Sequence, residues 1–98
     1  MDKNRILAIL RSHAPELQAA GIAHLRLFGS VARGDATPQS DIDLMADFAP
    51  DARISLMTLS VLRLQLCDLL GTEVDLSSAS AMKELVRANA DREAVHVF

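Results

Sequence analysis

Tryptophan and tyrosine are absent from this 98-residue chain, and phenylalanine occurs only three times. No aromatic platform is therefore on offer for stacking single-stranded bases. The one cysteine, Cys67, cannot close an internal disulfide, and its place among leucines marks it as a small apolar filler rather than a nucleophile. No apolar run approaches the roughly 20 residues that span a bilayer. The opening MDKNRILAILRSH mixes charge with apolar residues and lacks a small-residue cleavage site, so no signal peptide is expected and a cytoplasmic location is. Basic residues are outnumbered ten to thirteen, for a net charge of -3, which argues against nucleic acid as a partner while leaving room for a local basic patch. Internal repeats and low-complexity tails are missing too. What is present, 50% hydrophobic and 23% charged residues, is expected to form a single domain over residues 1–98 with a real but thin core.

The chain alternates helical and extended patterns. Lys3 to Ala20 places Ile6, Leu7, Ile9, Leu10 and Leu17 at mostly helical spacing, with a break near Ala14 imposed by Pro15 and a stop at Gly21. Ile22 to Phe28 alternates, with Ala23, Leu25 and Leu27 on one face, as a strand does. Gly29 to Ser40 reads as a loop with room for one helical turn at Ser30 to Arg33. A second strand is expected from Asp41 to Phe48, a turn at Pro50 and Asp51, a long helix from Ile54 to Leu70 stopped by Gly71, and a third strand from Thr72 to Ser78. Ser80 can cap a last helix reaching Arg92, and AVHVF is either a closing strand or a tail. This interleaving implies an α/β architecture, a small mixed sheet with helices packed on it.

Two carboxylates inside an apolar strand demand a reason. On a strand, Asp41 and Asp43 would point the same way about 6.6 Å apart, with Ile42 and Leu44 entering the core behind them. Asp75, between Val74 and Leu76, repeats the arrangement on the third strand. If those strands are neighbours, roughly 4.8 Å apart, three carboxylates meet on one patch. Like charges so close repel unless protons or cations intervene, and oxygen ligands of this kind suit Mg²⁺ with substrate phosphates completing its shell. Gly29 leaves the first strand with no side chain, so a phosphate can approach the backbone. The Ser30 hydroxyl and the following amides can donate to it, and Arg33 adds a fork-shaped cation.

The constellation of Gly-Ser, ten residues and Asp-Ile-Asp, with Ala-Arg-Gly after the serine and a later Val-Asp-Leu, resembles the DNA polymerase β-like nucleotidyltransferase superfamily, above all its minimal nucleotidyltransferase branch. The similarity runs from the leading helix to the closing REAV. It implies that Gly29 and Ser30 bind nucleotide phosphates, that Asp41 and Asp43 hold two Mg²⁺ ions, and that Asp75 is the third carboxylate, assisting attack by an acceptor hydroxyl. It further implies ATP as substrate and a HEPN-domain ribonuclease toxin as partner, silenced by AMP placed on a tyrosine. Neutralisation by occlusion without catalysis, and transfer to a small-molecule acceptor, remain the alternatives.

Plainer readings stand beside these. An isolated pair such as Asp41 and Asp43 would more often cap a turn and face solvent on an edge strand; the Gly-Ser turn and Asp75 tip the balance. Asp47 reads as a solvated charge, and Arg33 has Asp35 and Asp41 as rival partners to a phosphate. The Arg-Gly-Asp tripeptide at residues 33–35 is a coincidence in a cytoplasmic chain, no Walker A lysine follows the glycines, and His13, His24 and His96 lack ligand spacing. The 54–70 helix carries apolar residues around most of its circumference, where one sheet needs only a stripe. Burial between sheet and neighbouring helices, or a surface for a second copy or a toxin, both account for it.

Overall fold

The computed structural model describes residues 2–35, 37, 41–81, 88 and 92–98. Two short helices lead, α1 (Lys3–Ser12) and α2 (Ala14–Ala19), separated at His13. The Asp2 carboxylate accepts from the Arg5 amide at 2.8 Å and caps α1, while Pro15 sits in the first turn of α2, where its missing N–H leaves nothing unpaired. The expected break near Ala14 is therefore real. Strand β1 (Ile22–Phe28) follows, then α3 (Gly29–Arg33), β2 (Ile42–Phe48), α4 (Leu56–Leu70), β3 (Val74–Ser78), a 3₁₀ turn at Ala79–Ala81 and β4 (Val95–His96). Most of the last helix expected from Ser80 to Arg92 lies outside the described residues. The AVHVF segment does close the sheet, through β4.

The strands line up as β3-β2-β1-β4, with β1 antiparallel to β2 and β4, and β2 parallel to β3. A parallel pair needs a crossover, and α4 supplies it. Leu27, Leu44, Leu76, Ile42 and Val74 share one buried cluster with Ile6 and Leu10 of α1 and Leu62, Leu66 and Leu70 of α4, so these helices and strands share one core. On the other face Met45 and Ala79 form a small second cluster with Phe28 against it. Strict alternation would put Ile22 on the wet side with His24. A register irregularity between these two residues resets the phase, and Ile22 is buried.

Three element boundaries differ from the sequence reading. Strand β2 starts at Ile42, whose amide donates to the Glu73 carbonyl at 3.1 Å, leaving Asp41 outside the strand and exposed. Helix α4 starts at Leu56 because the Ser55 hydroxyl accepts from the Thr58 amide at 3.1 Å, and β3 starts at Val74. Gly71, at φ +68°, ends α4 as expected. Asp47 is no solvated charge: its Oδ2 accepts from Arg26 Nη2 at 2.8 Å, a cross-strand pair that period-two reading along one strand cannot see.

Helix α4 is apolar on two sides. Leu62, Leu66 and Leu70 are buried at one-turn spacing, whereas Leu56 and Met57 are 85% and 78% exposed and Val61 and Leu64 about half so. Leu66→Ala should therefore cost about 2–5 kcal/mol in urea unfolding. Met57→Ser should stay within about 0.5 kcal/mol of the parent.

Candidate functional site

The site grows from the end of β1. Phe28 is extended, and Gly29 then turns the chain into α3 at φ +77°. A Cβ at Gly29 would lie 3.0 Å from Cγ and 3.2 Å from Cβ of Asp43 and would collide with Asp43 Oδ2. Glycine is thus required twice, by a left-handed backbone and by the carboxylate pressed against it. Ser30 is half-buried in the first turn of α3, immediately after this contact, and the cap residue Phe28 offers no side-chain acceptor to the helix amides.

Asp43 is the hub. It lies opposite Phe28 on β1 and opposite Asp75 on β3, so the parallel register sets two carboxylates on facing positions of one sheet face. Asp75 is exposed and Asp43 half-buried. The Asp43 carboxyl is pushed above the usual carboxylate value, first by burial, then by the charge of Asp75 and that of Asp41, with Arg33 pulling the other way. The residues singled out in sequence are therefore coupled through one atom group, although Asp41 reaches it from the loop and not from the strand.

The donor chemistry fits a hard cation. Among the described residues, none of the three aspartates makes a hydrogen bond or ion pair, while no group of three acidic, histidine or cysteine side chains stands close enough to hold a metal unaided. One or two carboxylates completed by substrate oxygens is the usual way Mg²⁺ is held, and Asp41, Asp43 and Asp75 are the side chains that could supply them here.

Arg33 ends α3 and is already engaged. Its Nη1 donates to Glu93 Oε2 at 3.0 Å, and its Nε donates to Asp35 Oδ2 at 3.4 Å. Asp35 was foreseeable as a neighbour in sequence; Glu93, sixty residues away, was not, and Asp41 is not its partner. His13 pairs with Glu16 at 3.2 Å, and the rings of His24 and His96 stand 6.2 Å apart, consistent with packing roles.

An acidic sheet face served by a glycine-entered turn is the layout of the polymerase β-like nucleotidyltransferases. A solved structure described as a minimal nucleotidyltransferase superposes with TM-score 0.74 at 35% identity, covering 97% of this chain and 95% of that one. The nucleotidyltransferase domain model matches residues 4–96, and the chain belongs to that family of enzymes. The protein adenylyltransferase MntA of Thermococcus cleftensis is 37% identical over 93 residues, 94% of this chain and 92% of that protein. The fold is shared, at 20% identity and TM-score 0.63, with a structure of a tri-AMPylated Shewanella oneidensis HEPN toxin in complex with its MNT antitoxin, over 97% of this chain and 67% of that one.

Because the native Asp43 value is raised, its contribution to stability is favourable below the ordinary carboxylate range and is lost as pH rises through the raised value. Asp43→Asn should accordingly raise the melting temperature of the metal-free chain at neutral pH by a few degrees at most. That gain should vanish below about pH 4, where both forms are uncharged. Thermal melts in EDTA at the two pH values check it.

Proposed function

We propose that this chain is a Mg²⁺-dependent adenylyltransferase that moves AMP from ATP to a hydroxyl, a tyrosine's, on a HEPN-type toxin, and so acts as its antitoxin. The single observation that carries this reading is the register of Asp43 against Asp75 beside the Gly29 backbone, a paired carboxylate within reach of a phosphate-accepting turn. The name of the Thermococcus relative and the AMPylated toxin in the Shewanella complex supply the acceptor class.

In this mechanism Gly29 lets Asp43 sit against the turn, and Ser30 Oγ and the α3 amides donate to the oxygens of the triphosphate. Two Mg²⁺ ions held by Asp41 and Asp43, with Asp75 as the third carboxylate, would offset the charge of the phosphates and of the attacking and leaving oxygens. Asp75, the exposed member of the Asp43 and Asp75 pair, would assist attack by the acceptor hydroxyl and take up its proton. The hydroxyl oxygen forms a bond to the α-phosphorus, the bond from that phosphorus to the bridging oxygen breaks, and pyrophosphate leaves.

A second reading, neutralisation by occlusion, draws on the exposed apolar side of α4, which gives a partner something to bind without chemistry. Transfer to a small molecule has no comparable observation behind it. The Asp41→Asn, Asp43→Asn double variant separates the two surviving readings. It should fold like the parent and lose at least about 100-fold in transfer, read as AMP mass added to the toxin in the presence of ATP and Mg²⁺, and EDTA should do the same to the parent. Undiminished transfer by the double variant overturns the metal assignment. Loss of transfer with full protection of cells co-expressing the toxin makes occlusion the operative mode.

A further inference from the structure

We propose that Glu93 is a built-in competitor for the Arg33 guanidinium, holding it until the phosphates of a bound nucleotide displace the carboxylate. The inference rests on the nucleotide reading of the site and goes beyond it by assigning a role to a residue at the far end of the chain.

The placement is specific. Glu93 lies two residues before β4, and β4 pairs Val95 with Leu27 and His96 with Arg26, on the strand that runs straight into Gly29 and α3. The same strand thus delivers both the phosphate-facing turn and the acid that occupies its arginine. Arg11 locks the segment from behind, donating from Nε to the Val97 carbonyl at 2.9 Å and from Nη2 to the His96 carbonyl at 3.0 Å. Arg33 ends the five-residue helix that Gly29 begins, and Gly29 lies against Asp43, so a phosphate held at this turn is the ligand Arg33 is placed to meet.

The contact also has the right strength for exchange. The Arg33 and Glu93 side chains are 46% and 37% exposed, and an ion pair in such a setting is worth up to about a fivefold bias in equilibrium. A phosphate accepts the guanidinium fork in two parallel hydrogen bonds and carries more charge, so it wins that exchange. The displaced Glu93 then faces the polyphosphate as a like charge, which couples nucleotide loading to the position of the C-terminal strand.

The test is a double-mutant cycle on ATP binding with Mg²⁺, by titration calorimetry, for the parent, Glu93→Gln, Arg33→Gln and the combined variant. Glu93→Gln should bind ATP about two- to fivefold more tightly, with KM for ATP falling by the same factor, kcat held, and the melting temperature close to the parent's. In the Arg33→Gln background the same substitution should have no effect. An unchanged or weaker affinity for Glu93→Gln, in a parent that binds ATP, overturns the proposal. Equal tightening in both backgrounds does so as well, since it would reflect removal of a negative charge and not release of Arg33. A parent that binds no ATP at all overturns the nucleotide reading itself, and the competitor with it.

Discussion

Asp43 stands directly across from Asp75 on parallel strands, and two like charges at facing positions oppose the pairing that puts them there. The pairing holds because the alternate residues of the same strands, Ile42 and Leu44 on β2 and Val74 and Leu76 on β3, are buried on the opposite face. A parallel neighbour also requires a crossover, so α4 must lie on a face of the sheet, and it lies on the apolar one. Among the described residues, the carboxylate face keeps the small Met45–Ala79 cluster, with Phe28 against it. The acidic patch is open because the core has been committed to the other side.

That arrangement trades stability for chemistry. Asp43 is half-buried, set against the Gly29 backbone, and flanked by the charges of Asp75 and Asp41, with Arg33 in opposition among the described residues. Burial and the two neighbouring charges disfavour an ionised carboxylate, and a cation with phosphate oxygens would relieve them. Functional sites commonly sit at such locally unfavourable positions, where the remainder of the fold supplies the stability.

The sequence made legible whatever depends on neighbours along the chain. Alternation marked β1, the apolar run and Gly71 marked α4, and Gly29, Ser30, Asp41, Asp43 and Asp75 read as one patch. Features decided across the chain stayed hidden. Asp41 falls outside β2 because the first strand amide engaged by Glu73 belongs to Ile42. Asp47 finds Arg26 across the ladder, and Arg33 finds Glu93 from the C-terminal end. Ile22 is buried through an irregularity that no periodic pattern announces. In each case a pairing register, invisible in a linear pattern, chose the partner.

The two faces of the sheet also keep apart the two readings proposed above, occlusion and AMP transfer. Of the apolar residues that α4 leaves in water, Met57, Val61 and Leu64 lie on the side of the helix away from its buried row of Leu62, Leu66 and Leu70, and Leu56 lies at its N-terminal end. That row packs against the strand face opposite Asp43 and Asp75. A partner docked only on α4 would have the whole sheet between itself and the carboxylates. On the proposed function, occlusion would be possible through that helix, whereas AMP transfer would require the acceptor also to reach the other face of a molecule 21 Å in its shortest dimension. On that reading, substitutions on α4 and on the carboxylate face would therefore act on physically separate steps, occlusion and transfer, and a variant defective in one has no structural reason to be defective in the other.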